Sequence, residues 1–285
     1  MYTNQKPFFI RVVTPLHAGT GCDIGIIDMP IQRERHTNFP KIESSGLKGS
    51  LREYFEATFP DRKKEIELVF GPEKGDAHAA AFSLTDAAVL FFPVKSAKGI
   101  YVLLTCPTVL SRYNDFCGLF GEKPFANLDA IKKLPDSDCR VANKDKVSFN
   151  GSEIVLEEYA FNIIGTITMN EKFNFIDADR IVCVSDNVFR DFVTLSTELI
   201  TRNKVDSATG TVKNGALFSE EFLPPETVLY SFLHTGPVNK AEKDGLPLKT
   251  QKDVERFLKN NFPKVFQIGG DATIGKGIVK IEWNE

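Results

Sequence analysis

Apolar positions recur along this chain with the periods of both strands and helices. Phe8 to Val13 is an apolar-rich run closed by Thr14-Pro15, which predicts a strand. Leu47, Leu51, Tyr54 and Phe55 have i, i+4, i+7, i+8 spacing, one stripe of a helix over 46–59 that Ser44-Ser45-Gly46 opens. Phe91–Val94 and Ile100–Thr105 read as strands, and Pro107 suits the first turn of another helix. Ile181–Val184 predicts a buried strand, then a helix capped by Asp186 whose Val188, Phe189, Phe192, Val193, Leu199 and Ile200 share one face. Val254, Phe257, Leu258 and Phe262 mark a short amphipathic helix, and Val279, Ile281 and Trp283 alternate as a last strand. Residues 114–150 mix Lys/Asp clusters with apolar positions and support no assignment. Strands alternating with helices predict an α+β sheet with helices on one side.

Two segments break these periods. Between Thr201 and Phe222, polar and apolar residues alternate around Ser207-Ala-Thr-Gly210 and Asn214-Gly215, the signature of an exposed hairpin. Leu217, Phe218 and Phe222 at its base either stack on bases or pack inward. The Gly269–Gly277 stretch imitates a phosphate-binding P-loop, because Gly270 precedes four residues and then Gly275 and Lys276. Gly277 stands where that motif needs Ser or Thr for magnesium, and the last eight residues read as a strand rather than a helix, so the P-loop reading fails. A plain glycine turn and a loop bringing amides to RNA phosphates both remain.

The chemistry concentrates in Asp28–Phe55. Lys48 and Arg52 lie off the helix stripe, one turn apart, and the small residues at the helix start let an anion approach backbone N–H groups. Upstream, Arg33 and Arg35 alternate with Glu34, so an extended segment would project both arginines from one side, with His36 and Thr37 adding donors before Pro40. A capped surface helix beside a charged edge strand accounts for each piece separately; together they suit a ribose-phosphate backbone. His17, on a turn after Pro15-Leu16, is a candidate general acid or a loop cap, because imidazole titrates near neutrality. Glu226, after Leu223-Pro-Pro225, is a further acid, either solvated or turned toward a neighbouring copy. Asp23, Asp271 and His36 have only proximity to recommend them.

With 285 residues and 42% hydrophobic content, the chain can bury one sizeable core, or one core with an inserted lobe. The longest apolar run, Ala87–Val94, falls well short of the ~20 residues of a membrane helix, so no membrane association is expected. Five scattered cysteines without a CxxC fit reduced thiols in the cytoplasm and no structural zinc. A formal net charge of −3 argues against unspecific wrapping of nucleic acid. RNA contacts must then be local, in a groove lined by Arg33, Arg35, Lys48, Arg52 and Lys276, and steeply salt-dependent.

Several motifs, taken in order, carry a resemblance over nearly the whole chain: His17-Ala-Gly, Asp28-Met-Pro-Ile-Gln-Arg-Glu-Arg-His-Thr, Ser45-Gly-Leu-Lys-Gly-Ser-Leu-Arg, RIVCVSDNVFRDFV at 180–193, GALFSEEFLPPETVLY at 215–230 and IGGDATIGKGIV at 268–279. The chain resembles the repeated backbone subunit of type III-B CRISPR Cmr effector complexes, in the RAMP superfamily. The resemblance implies a single domain over 1–285 with a ferredoxin-like, RRM-related core, a thumb hairpin inserted at 201–222 and a C-terminal glycine-rich loop. It implies guide (CRISPR) RNA, single-stranded target RNA, copies of itself in a filament and other Cmr subunits as partners. Guide contacts are expected at Arg33, Arg35, Thr37, Ser45, Lys48, Arg52, Gly269, Gly270, Gly275 and Lys276. Asp28 matches the acid required for target cleavage at regular intervals, a reaction that divalent metal (Mg2+ or Mn2+) supports. Asp28 would share that cation with an RNA phosphate, or orient or deprotonate a 2′-OH. The alternatives are a non-catalytic RNA-binding scaffold, and a metal-independent precursor-RNA nuclease using His17 and His36.

Overall fold

The computed structural model describes residues 4–22, 25–73, 78–119, 121, 128, 131–168, 173–203, 206, 208–212, 217–239 and 245–283. The chain begins with β1 (Asn4–Val12), β2 (Lys41–Ile42), α1 (Ser44–Thr58), α2 (Lys63–Phe70), β3 (Phe82–Leu84) and β4 (Ala87–Ser96). It continues through β5 (Ile100–Thr105), α3 (Pro107–Leu119), β6 (Asp138–Val141), α4 (Lys144–Val147), β7 (Glu153–Leu156), β8 (Tyr159–Thr166), β9 (Ile181–Cys183) and α5 (Asp186–Leu195). β10 (Glu198–Arg202), β11 (Phe218–Phe222), β12 (Val228–Thr235), α6 (Gln251–Asn261), β13 (Val265–Gln267) and β14 (Ile278–Trp283) complete it.

The central sheet runs β13-β14-β1-β12-β4, every neighbouring pair antiparallel. β4 is shared: Ala88–Phe91 pair with β12, while Phe92–Ser96 pair with β5. From β5 the ladder continues through β9, β6, β8 and β7 and returns to β4 at Ser96↔Leu156, a closed ring of six strands. Closure satisfies backbone groups that would otherwise form an exposed edge.

Residues of β1 and β12 are buried on both faces, so the central sheet is covered on both, not one. Phe8 packs on Phe262 and Trp283, on the face closed by α6. Phe9 points the other way, to Tyr113 of α3 and to Phe173 and Phe175. The run Phe8-Phe9-Ile10, apolar without alternation, is the sequence signature of a strand buried twice. On the α6 face, the fully buried Phe55 ring joins α1 to α2 and α6 through Phe59, Phe70 and Phe257, at centroid distances of 5.7, 5.2 and 5.6 Å.

Most expected elements lie where the patterns put them, including Pro107 as the first residue of α3. Three differ. The cap of α5 is Ser185, whose hydroxyl accepts from Val188 N at 3.2 Å. Asp186 instead binds Thr108 N and Oγ1 at 2.9 and 2.7 Å, tying α5 to α3. α5 ends at Leu195, so Leu199 and Ile200 belong to β10. The hairpin begins at Glu198 and pairs from Glu198↔Phe222 to Arg202↔Phe218; Ser207 and Asn214-Gly215 lie outside the described residues. Cys106, Cys117, Cys139 and Cys183 are buried free thiols, and Cys22 is exposed. Among the described residues, no helix is long and apolar enough to cross a membrane.

Phe55→Ala is expected to cost about 4 kcal/mol, since it empties the point where three helices meet. Urea unfolding measures it, and a loss under about 1 kcal/mol would show that the cluster does not hold α1 in place.

Candidate nucleic-acid interface

β11 is the spine of the site. Segment 28–31 lies along it as a short parallel partner: Met29 N donates to Ser219 O and Glu221 N to Met29 O, both at 3.0 Å. On the inner side Glu221 is almost wholly buried. Its carboxylate accepts from Ile31 N at 3.0 Å, Thr197 Oγ1 at 2.8 Å and Arg33 Nη2 at 2.5 Å. An ion pair removed from water persists only when its remaining lone pairs and protons are satisfied. Arg33 meets that condition by also donating to the carbonyls of Asn38 and Val193. One acid thus holds the Asp28 loop, the start of the hairpin and the end of α5 together.

At the outer end of this seam Asp28 is exposed. Its Oδ2 accepts from Ser219 N at 2.7 Å and Ser219 Oγ at 2.9 Å, while Asp28 N donates to Ser219 Oγ at 3.0 Å. The Ser219 amide, then its hydroxyl, hold the Asp28 carboxyl below the ordinary aspartate value, so it is ionised at neutral pH. Among the described residues no cation pairs with it. The other acids of the seam are compensated: Glu221 by Arg33, and Glu220 and Asp271 by Arg202 at 3.1 and 2.6 Å. Burial and a hydrogen bond with Asp271 raise the pKa of Glu220.

The glycine-rich loop packs on the 15–17 segment and on the hairpin, through Arg202 and Phe222. Gly270 N donates to His17 O at 2.9 Å and Gly277 N to Pro15 O at 2.9 Å, while the Gln267 amide bonds the Gly269 and Gly270 carbonyls from within. Gly269 has φ +81, and a Cβ there would stand 2.1 Å from the His17 carbonyl oxygen, so only glycine fits. Gly275, at φ +78, faces open space, and Lys276 lies with Nζ 5.0 Å from the Phe222 ring centroid. Between this loop, the 17–19 turn and α1 is a cavity of about 240 Å³, lined by His17, Gly19, Gln32, Gly46, Ser50 and Gly270 among others.

The anticipated contact residues divide. Arg33 does not face outward beside Arg35, because the chain reverses at 35–37 and Arg33 turns in to Glu221, its side chain only 14% exposed. Arg35 is exposed on the turn. The Thr37 hydroxyl donates to Glu34, and Arg112 bonds both Glu34 and His36. Ser45 is exposed at the start of α1, whose first amide, Ser44 N, is already bonded to Asp86 at 2.9 Å. Lys48 leans over the Phe82 ring, where burial and then Arg52 depress its pKa. Arg52 is bonded to Glu56 and the Gly71 carbonyl. Gly46 and Ser50, rather than the two cations, present the helix to the cavity.

His17 is buried, its Nδ1 2.7 Å from the Glu221 carbonyl, so that nitrogen carries the proton. His36 is exposed against Arg112 and shares no partner with His17. Glu226 has φ +74 and is gripped by Arg11 at 2.7 Å, beyond the opposite end of β11 from Ser219. Asp23 lies outside the described residues. The structure therefore brings together Asp28, His17, Gly269, Gly270 and Lys276 around β11, and leaves Glu226 and the Arg35 turn outside that cluster. Ser219, Glu220, Glu221, Arg202 and Gln267 receive no site role from sequence, although the first three lie within the 215–230 motif. One signal exists for two of them, since adjacent acids inside Phe218-Ser-Glu-Glu-Phe222 break strand alternation and mark a buried charge in need of a partner. Among the described residues no group of three His, Cys, Asp or Glu side chains is placed to hold a metal ion.

A mixed α/β fold whose acid-bearing loop, hairpin and glycine-rich loop meet on one surface defines the class, and similarity to known proteins names it. The profile of the RAMP superfamily matches residues 9–280. The CRISPR system Cmr endoribonuclease Cmr4 of Pyrococcus furiosus is 36% identical across 97% of this chain and 94% of its own. The CMR subunit Cmr4 of Saccharolobus solfataricus is 25% identical across 99% and 97%. Crystalline oligomeric Cmr4 from P. furiosus superposes with a TM-score of 0.72 at 30% identity, covering 99% of this chain and 98% of that one. A chain of the type III-B Cmr-beta complex bound to cognate target RNA, with the same coverage, has a TM-score of 0.78 at 24% identity and shares the fold. The chain belongs to the RAMP superfamily and, within it, to the Cmr4 family.

Glu221→Ala leaves the Arg33 charge in the interior with the Asn38 and Val193 carbonyls but no counter-charge, and is expected to cost about 3–5 kcal/mol. Hydrogen exchange at the Met29 and Ile31 amides should accelerate with it, and unchanged protection there would dissociate the acid from the loop. For the glycine-rich loop, Gly269→Ala is expected to cost about 3 kcal/mol or more, against about 1 kcal/mol for Gly275→Ala, where only left-handed backbone strain applies. Equal losses in denaturant would show that His17 does not constrain the loop.

Proposed function

We propose that this chain is the repeated backbone subunit of an RNA-guided Cmr effector complex, binding guide RNA and cutting complementary target RNA at regular intervals through Asp28. The observation that carries the reading is the state of that carboxylate: exposed, ionised, fixed through one oxygen and unpaired with any cation among the described residues. An uncompensated negative charge beside a phosphate backbone is unfavourable unless it acts on a cation or a hydroxyl there. With its pKa held low, Asp28 is a weak base. Orienting the 2′-OH, or helping to hold a hard cation, suits it better than removing the proton outright. The described residues offer no dedicated metal cage, so a Mg2+ or Mn2+ ion would take its other ligands from RNA phosphate and water. The names of the relatives, an endoribonuclease and an oligomeric Cmr4, support both activity and assembly with copies of itself.

The antiparallel order β14-β1-β12-β4, with α1 leading to β4 and α6 leading to β14, supports reading the central sheet as a ferredoxin-like core interrupted by the six-strand ring. The β10–β11 hairpin suits the thumb. Arg35, Ser45 and Lys276 are the guide contacts that the geometry favours, since Arg33, Lys48 and Arg52 have partners within the chain and the Gly270 and Gly275 amides are bonded to His17 and Ala272. A scaffold without catalysis is the second reading, because the same Ser219 bonds that aim Asp28 also order its loop.

Asp28→Asn in the assembled complex distinguishes them. Target cleavage should fall by about 100-fold or more with guide binding unchanged, and chelation of divalent ions should stop the wild-type reaction. Cleavage at the wild-type rate by Asp28→Asn would overturn the catalytic assignment, and chelator-resistant cleavage by the isolated chain would favour the histidine mechanism.

A further inference from the structure

We infer that Ser219 is a positioning residue for target cleavage, coupling the Asp28 carboxylate to the loop-proximal end of the β10–β11 ladder. This rests on the proposed role of Asp28. Ser219 directs all of its polar atoms at residues 28 and 29. Its N–H and hydroxyl donate to Asp28 Oδ2, its Oγ accepts from Asp28 N, and its carbonyl accepts from Met29 N. Both bonds to the side chain fall on the same carboxylate oxygen, so Oδ2 is pinned, while Oδ1 of this exposed residue has no hydrogen bond among the described residues. The donors are neutral, so they orient the charge without cancelling it, unlike the guanidinium groups on Glu220, Glu221 and Asp271. The serine is also the second residue of β11, whose Phe218 pairs with Arg202 on the opposite strand. Any displacement of this end of the hairpin by bound RNA is therefore passed directly to the carboxylate.

The arrangement requires a hydroxyl on a short stem. Alanine retains the amide bond to Oδ2 but removes the second donor and leaves Asp28 N unpartnered, freeing the carboxylate to rotate. Threonine preserves both functions of the oxygen and suits a strand.

The test uses the assembled complex with guide RNA, measuring target affinity and single-turnover cleavage separately. For Ser219→Ala the cleavage rate should fall on the order of ten- to a hundredfold with target affinity unchanged. Ser219→Thr should recover most of that loss, and in an Asp28→Asn background Ser219→Ala should have no further effect. Wild-type cleavage by Ser219→Ala, alongside an inactive Asp28→Asn, would overturn the positioning role and leave the catalytic assignment standing. A parallel loss of target affinity, or no recovery with threonine, would also overturn it, making the serine a structural residue of the strand. An active Asp28→Asn would instead remove the reading on which both rest.

Discussion

The site depends on one buried carboxylate. Glu221 sits inside the protein with its charge satisfied by Arg33, Thr197 and the Ile31 amide, three groups on two distant stretches of chain. A buried acid of this kind contributes little net stability compared with an apolar residue, yet removal of any one partner is costly. Its effect is to allow a single arrangement of loop, hairpin and helix end. Once Glu221 has placed segment 28–31 against β11, Asp28 can point only outward, where Ser219 receives it.

The glycine-rich loop applies a second constraint through backbone rather than charge. His17 is held at Nδ1 by the Glu221 carbonyl and at its own carbonyl by the Gly270 amide, so the 17–19 turn is clamped between β11 and the C-terminal loop. Gly269 makes that approach possible by having no side chain. Arg202 completes the enclosure by bridging Glu220 and Asp271. Much of the charge in the region is consequently committed to internal order. The charges there without an ion-pair partner among the described residues are Lys276 and Asp28, so in a chain of net charge −3 the proposed RNA contacts would have to be few and local.

Residues with strong local signals are legible without the fold. The stripe Leu47, Leu51, Phe55 marks α1, the alternation of Val279, Ile281 and Trp283 marks β14, and Gly277 in the glycine-rich stretch rules out a P-loop. Arg33 departs from its expected outward position because period-2 projection holds only while the chain stays extended, and the turn at 35–37 ends that before Pro40. Ser185 and Asp186 are adjacent and both good caps, so local preference does not separate them; the contact of Asp186 with Thr108, remote in sequence, does. The six-strand ring has no local signature, since its closure is a pairing between Ser96 and Leu156.

Sequence by itself determined where most of the central strands and helices lie, that Gly269–Gly277 is no P-loop, and that no global cationic excess is available for nucleic acid. These rest on periodicity, side-chain size and charge, all of which act between near neighbours. Only the tertiary structure decided which cations are paired within the chain, that His17 is buried and His36 exposed, and that Ser219 holds Asp28 while Glu221 holds its loop. Those outcomes turn on contacts between residues nearly two hundred positions apart, where desolvation and hydrogen-bond geometry, rather than local preference, select the partner.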